Sequence, residues 1–141
     1  MPNHPLLGTK VPTGEEEIPW RYEWMNITNV LQTAKALAAG MMAEELLPPV
    51  ENEGKVWRFL GIQSKNRKEW FLLHLANMFV KTTTVALYDT LGQEAMKYVI
   101  DQTELATIAC TPDLIANILK LKADDPDGQM RRVANIIVMA D

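Results

Sequence analysis

Cysteine is nearly missing from this chain of 141 residues: Cys110 stands alone, which excludes an internal disulfide framework and any four-cysteine zinc site. Histidine is almost as scarce, and His4 and His74 lie too far apart to form a local metal motif. No block of like charge occurs. Lys plus Arg number 14 against 18 Asp plus Glu, a net charge of −4. That balance argues against nucleic acid and anionic membrane as main partners. No apolar run reaches membrane length: the longest, residues 70–80, is about half a span and is interrupted by His74 and Asn77. No basic-then-apolar leader opens the chain, and Glu15, Glu16 and Glu17 oppose an uncleaved mitochondrial presequence. The seven glycines are scattered singly. GxGxxG, GxxxxGK[ST], GxSxG and HExxH are therefore all absent. What is present, 48% hydrophobic and 23% charged residues, is the composition of one soluble, intracellular globular domain.

Pro2, Pro5, Pro12 and Pro19 with Gly8 and Gly14 make residues 1–21 read as an extended proline-rich arm without a regular element. Residues 22–25 are compatible with a short strand. Thr28 then serves as the expected N-cap of a helix running to about Leu47, with Val30, Leu31, Ala34, Leu37, Ala38, Met41 and Met42 at helical spacing. Pro48 and Pro49 stop it, and residues 49–55 form a polar turn pivoting on Gly54.

From there strand and helix alternate. Residues 56–63 (VWRFLGIQ), 83–88 (TTVALY), 105–110 (LATIAC) and 133–139 (VANIIVM) read as buried strands. Between them lie three helices. Asn66 with Glu69, and Thr90 with Gln93, have capping-box spacing, and Thr111-Pro112-Asp113 combines N-cap, N1 proline and an acidic first turn. The first of these helices, residues 70–80, is apolar on nearly every side and reads as packed between layers. In the next, Ala95, Met96, Val99 and Ile100 are expected inward; in the last, Leu114, Ile115, Ile118 and Leu119. This order predicts right-handed crossovers and a fold of α/β class, a three-layer sandwich with a mainly parallel sheet. An apolar strand followed within two residues by Asp141 leaves the sheet without a covering helix, so the domain is expected to be incomplete as given, or covered by a partner.

Each reactive residue has a bland reading that outweighs the chemical one. Asp89 ends a strand where α/β ligands bind, yet with Thr90 it suits capping of the next helix. Cys110 precedes a helix start, but without a neighbouring histidine it reads as a small core thiol. His74 is read as a core or interhelical hydrogen-bonding residue, and Arg131 with Arg132 as a solvated pair. Trp20, Trp24, Trp57 and Trp70 are expected to pin the arm and first helix to the sheet, or to mark an interface.

A family resemblance adds what spacing does not. Residues 61–70 (GIQSKNRKEW), 86–92 (ALYDTLG) with Glu94-Ala95 following, 22–25 (YEWM), 37–41 (LAAGM) and 7–10 (LGTK) resemble strings of eukaryotic long-chain fatty-acid–CoA ligases, members of the adenylate-forming superfamily. Ala86 stands where that family usually has proline. The resemblance implies that residues 22–141 are a partial AMP-binding α/β subdomain from the family's N-terminal portion. It also implies activation of a fatty acid with ATP and Mg²⁺ to an acyl-adenylate, followed by thioester formation with coenzyme A. The phosphate loop, adenine and ribose contacts and catalytic lysine of the family match nothing here. No catalytic, cofactor-binding or metal residue is therefore assigned, and no cofactor is expected to bind this chain alone. Its expected partners are the remainder of the ligase or, alternatively, the subunits of a larger assembly in which a truncated homologue is a building block. A third reading is a free-standing module for an acyl or nucleotide ligand. An intracellular site on a mitochondrion, endoplasmic reticulum or peroxisome agrees with the resemblance.

Overall fold

The computed structural model describes residues 3–88 and 90–140. Its centre is a parallel sheet of four strands: β5 (Phe59–Gln63), β6 (Thr83–Ala86), β7 (Thr107–Cys110) and β8 (Asn135–Val138), in the spatial order β6-β5-β7-β8. Helix α2 (Lys68–Phe79) connects β5 to β6, α3 (Gln93–Gln102) connects β6 to β7, and α4 (Pro112–Ala123) connects β7 to β8. Before them come two antiparallel ribbons, β1 (Pro5–Pro12) with β2 (Trp20–Asn26) and β3 (Val50–Asn52) with β4 (Lys55–Trp57), separated by helix α1 (Ile27–Ala43).

The strands alternate strictly between two cores, because successive side chains leave a strand on opposite faces. Leu60, Ile62 and Ala109 join Ala34, Ala38 and Met41 of α1 and Leu73 and Ala76 of α2 on one face. Ile108 and Cys110 join Met96 and Ile100 of α3 and Ile118 and Leu121 of α4 on the other. The predicted three-layer parallel sandwich is therefore what the chain forms. Gly61 is the strand position at which the second core leaves no room: a Cβ there would meet Leu105 Cδ2 at 2.6 Å and Leu87 Cδ1 at 3.2 Å.

Several local expectations are corrected. The proline-dense N-terminus does form a regular element. β1 begins and ends on proline, where a missing N–H costs a two-stranded ribbon little. Residue 21, the expected end of the arm, falls within β2. The α1 N-cap is Asn26, whose Oδ1 accepts from Asn29 N at 2.8 Å, not Thr28. The helix stops at Ala43, ahead of the prolines, in a Schellman turn: Glu45 takes φ 51°, with Leu46 N to Met41 O at 2.9 Å and Glu45 N to Met42 O at 3.2 Å. Residues 49–55 are not merely a turn but include the β3–β4 hairpin, whose central residues Glu53 and Gly54 both have positive φ. The predicted strand 56–63 is broken at Arg58 into β4 and β5. Neither capping box forms as expected: the caps are Arg67 and Gly92. Glu69 instead receives Arg67 Nε at 2.6 Å.

The inward faces also shift. Leu31, Met42 and Leu119 are exposed, as is Ala95, while Lys97 is buried. Helix α2 is not enclosed on all sides, since Met78 and Phe79 are exposed, Phe79 beneath Lys35 of α1. Lys97 tolerates burial because its Nζ donates to Asp124 O, the C-cap carbonyl of α4, at 2.8 Å.

Candidate functional site

In an open parallel sheet a ligand crevice lies at the carboxyl ends of two strands whose following helices leave to opposite faces. Here that switch point falls between β5 and β7, because α2 packs on one face and α4 on the other. Gln63 and Cys110 are the paired residues at that end.

Gln63 is the polar residue sequence reasoning missed. It ends a buried apolar strand, a signal legible in FLGIQ itself, and is only 9% exposed. Its Nε2 contacts Met96 Sδ at 3.8 Å, and its Oε1 is buried without a hydrogen-bond partner. Cys110 is fully buried, and burial, reinforced by the Asp113 carboxylate, pushes its thiol pKa above the ordinary value. A thiol so held is the opposite of an activated nucleophile. Asp89 lies outside the described residues, and Tyr88 before it is exposed.

The other candidates are not brought to the crevice. His74 Nδ1 sits 3.0 Å from Thr84 Oγ1, which also receives Asn77 Nδ2 at 2.8 Å, and its ring stacks on Trp70 at 5.5 Å. This histidine ties α2 to the edge strand β6. Arg131 pairs with Asp101 at 4.0 Å and Arg132 with Glu104, fastening the β8 approach to the end of α3. Of the four tryptophans only Trp70 packs against a core. Trp20, Trp24 and Trp57 are exposed, contrary to the pinning role expected of them, and contact ribbon or adjoining residues: Trp24 over Gly8 and beside Tyr22 at 5.8 Å, Trp20 under Lys10, Trp57 on Phe59 at 6.2 Å.

Among the described residues no group of three or more His, Cys, Asp or Glu is placed to hold a metal ion. Among the described residues the strand-end loops supply no cradle of glycines for a triphosphate, and the groups described at this crevice do not fit ATP and Mg²⁺. A second concavity of about 430 Å³ lies at the α1 end, lined by Met42, Glu45, Leu47, Pro48, Pro49 and Arg58. No described helix is long and apolar enough to cross a membrane.

No protein-family model matches the chain. Individual relatives do. The chain is 32% identical over 123 residues to rat long-chain-fatty-acid–CoA ligase 5, a match covering 84% of this chain and 16% of the relative. It is 30% identical over 106 residues to rat long-chain-fatty-acid–CoA ligase 6. Against guinea-pig long-chain-fatty-acid–CoA ligase 1 it is 26% identical across 99% of its own length and 18% of the relative's. Among solved structures, the A-PCP didomain of carboxylic acid reductase from Segniliparus rugosus, in complex with AMP, superposes with TM-score 0.70 at 16% identity, over 97% of this chain and 19% of the other. ATP-bound MatB from Rhodopseudomonas palustris gives TM-score 0.64 at 16% identity, over 84% and 20%. The chain thus spans about a sixth of the length of the curated relatives it matches. It is a homologue of part of the long-chain fatty-acid–CoA ligases, built on the α/β fold of the adenylate-forming superfamily.

Proposed function

We propose that this chain is scaffold rather than catalytic machinery: the N-terminal α/β portion of a long-chain fatty-acid–CoA ligase, whose ATP- and Mg²⁺-dependent acyl-adenylate chemistry and transfer to coenzyme A are carried by residues outside these 141. The observation behind this reading is the match to one sixth of the ligase length combined with the state of the strand-end crevice. The Cys110 thiol there is buried and its pKa raised. Away from it, His74 is engaged by Thr84, and both Arg131 and Arg132 by carboxylates. The second reading, a non-catalytic truncated homologue acting as a structural subunit of a larger assembly, is favoured by the exposed aromatic face of the β1–β2 ribbon, where Trp20, Tyr22 and Trp24 are each half or more exposed. Residues 1–21 and 22–141 are then arm and partial AMP-binding subdomain, working intracellularly at a membrane-associated organelle.

The test is ATP–pyrophosphate exchange with long-chain fatty acids. The isolated chain is expected to give none above background. Exchange that depends on fatty acid and survives removal of contaminating ligases would overturn the scaffold reading.

A further inference from the structure

Arg58 is the guanidinium in this fold that differs from the rest. Arg21, Arg67, Arg131 and Arg132 each meet a carboxylate. Arg58 meets none among the described residues; the residue is half-buried, and of its guanidinium nitrogens Nε is the one enclosed without a hydrogen-bond partner. An enclosed N–H left unpaired is costly, and a half-buried guanidinium with no carboxylate beside it is a ready partner for an anion. The side chain lines the cavity of about 430 Å³ at the sheet's amino end, opposite the strand-end crevice. Its backbone is fixed there, because Arg58 O accepts from Thr83 N at 2.8 Å. The facing walls are stiff: Pro48 and Pro49 have locked φ, and Glu45 and Leu47 follow the Schellman turn of α1. The cavity volume is that of a small-ligand site, largely apolar with few polar groups.

We propose that this cavity binds a small monocarboxylate with a compact apolar body. The carboxylate meets the Arg58 fork, whose planar donors match its two oxygens. Met42, Leu47 and Pro48 cover the apolar part. Glu45 lines the same cavity and sets the charge limit, since its carboxylate repels a dianion such as phosphate more than a monoanion.

Benzoate is the probe, added to the ¹⁵N-labelled chain while the Arg Nε–H resonances are followed. The expected result is a saturable shift of the Arg58 Nε–H with millimolar affinity, absent with benzyl alcohol and at least severalfold weaker with inorganic phosphate. Arg58→Gln weakens binding by about tenfold or more. Should that variant not fold, Glu45→Gln serves instead, and binding tightens by about threefold as the neighbouring charge is removed. No saturable shift, an equal response to benzyl alcohol or phosphate, or unchanged affinity in Glu45→Gln would each overturn the site.

Discussion

The central sheet and the N-terminal ribbon make opposite use of large apolar side chains. In β5 and β7 the residues Leu60, Ile62 and Ile108 are at most 1% exposed and serve two cores at once. In β1 and β2, Trp20, Tyr22 and Trp24 stand half or more in solvent and lean on Lys10, on Gly8 and on each other. The two central strands are covered by helices on both faces, and exposure returns only toward the edges, at Thr83 of β6 and Val138 of β8. The ribbon has two strands and one supported face, so its aromatic ladder stabilises only itself. Burial, not aromatic content, marks where the stability lies.

Substitutions can sharpen that contrast. The largest effect is expected of Leu60→Ala, which opens a cavity in the first core and costs about 2–5 kcal/mol, read by denaturant unfolding. Gly61→Ala comes next: the new methyl is driven into Leu105 and Leu87, and about 1–3 kcal/mol is lost to overpacking. Asn26→Ala removes the side-chain cap of α1 and lowers stability by about 1 kcal/mol, with faster amide exchange in the first helical turn. Trp24→Ala on the ribbon shifts the unfolding midpoint by less than about 0.5 kcal/mol; a loss as large as that of Leu60→Ala would erase the contrast. The smallest effect concerns Cys110. Burial raises its thiol pKa, so the folded state holds its proton more tightly than the unfolded chain. The associated stability is full below about pH 9 and is lost as pH rises through the unfolded value toward the folded one. Maleimide labelling at neutral pH is correspondingly slower in native than in urea-unfolded protein.

The same contrast explains what the sequence discloses. The four strands are legible because a strand buried on both faces must be apolar throughout, and VANIIVM or LATIAC has little other use. β1 is not legible, because Pro5 and Pro12 look like breakers until their positions at the strand ends are known. N-caps shift by one or two residues where neighbouring positions compete, as Asn26 does with Thr28 and Gly92 with Thr90. Lys97 escapes notice because charge suggests solvent, whereas a carbonyl partner permits its burial, and Arg58 because its place beside a cavity needs the fold. Cys110 is the buried core thiol expected, His74 bonds Thr84 of a strand rather than a second helix, and the arginines expected to be merely solvated each meet a carboxylate. The pairing of Gln63 with Cys110 needs strand order, which periodicity does not contain.

The central claim, that this α/β unit serves a longer ligase, is tested most directly by the denatured mass of the polypeptide that carries it in its natural source. The account predicts a band several times 15.9 kDa that shows fatty-acid-dependent adenylation. A band at 15.9 kDa, travelling within a large native complex, would contradict it and leave the fold as a building block without its chemistry.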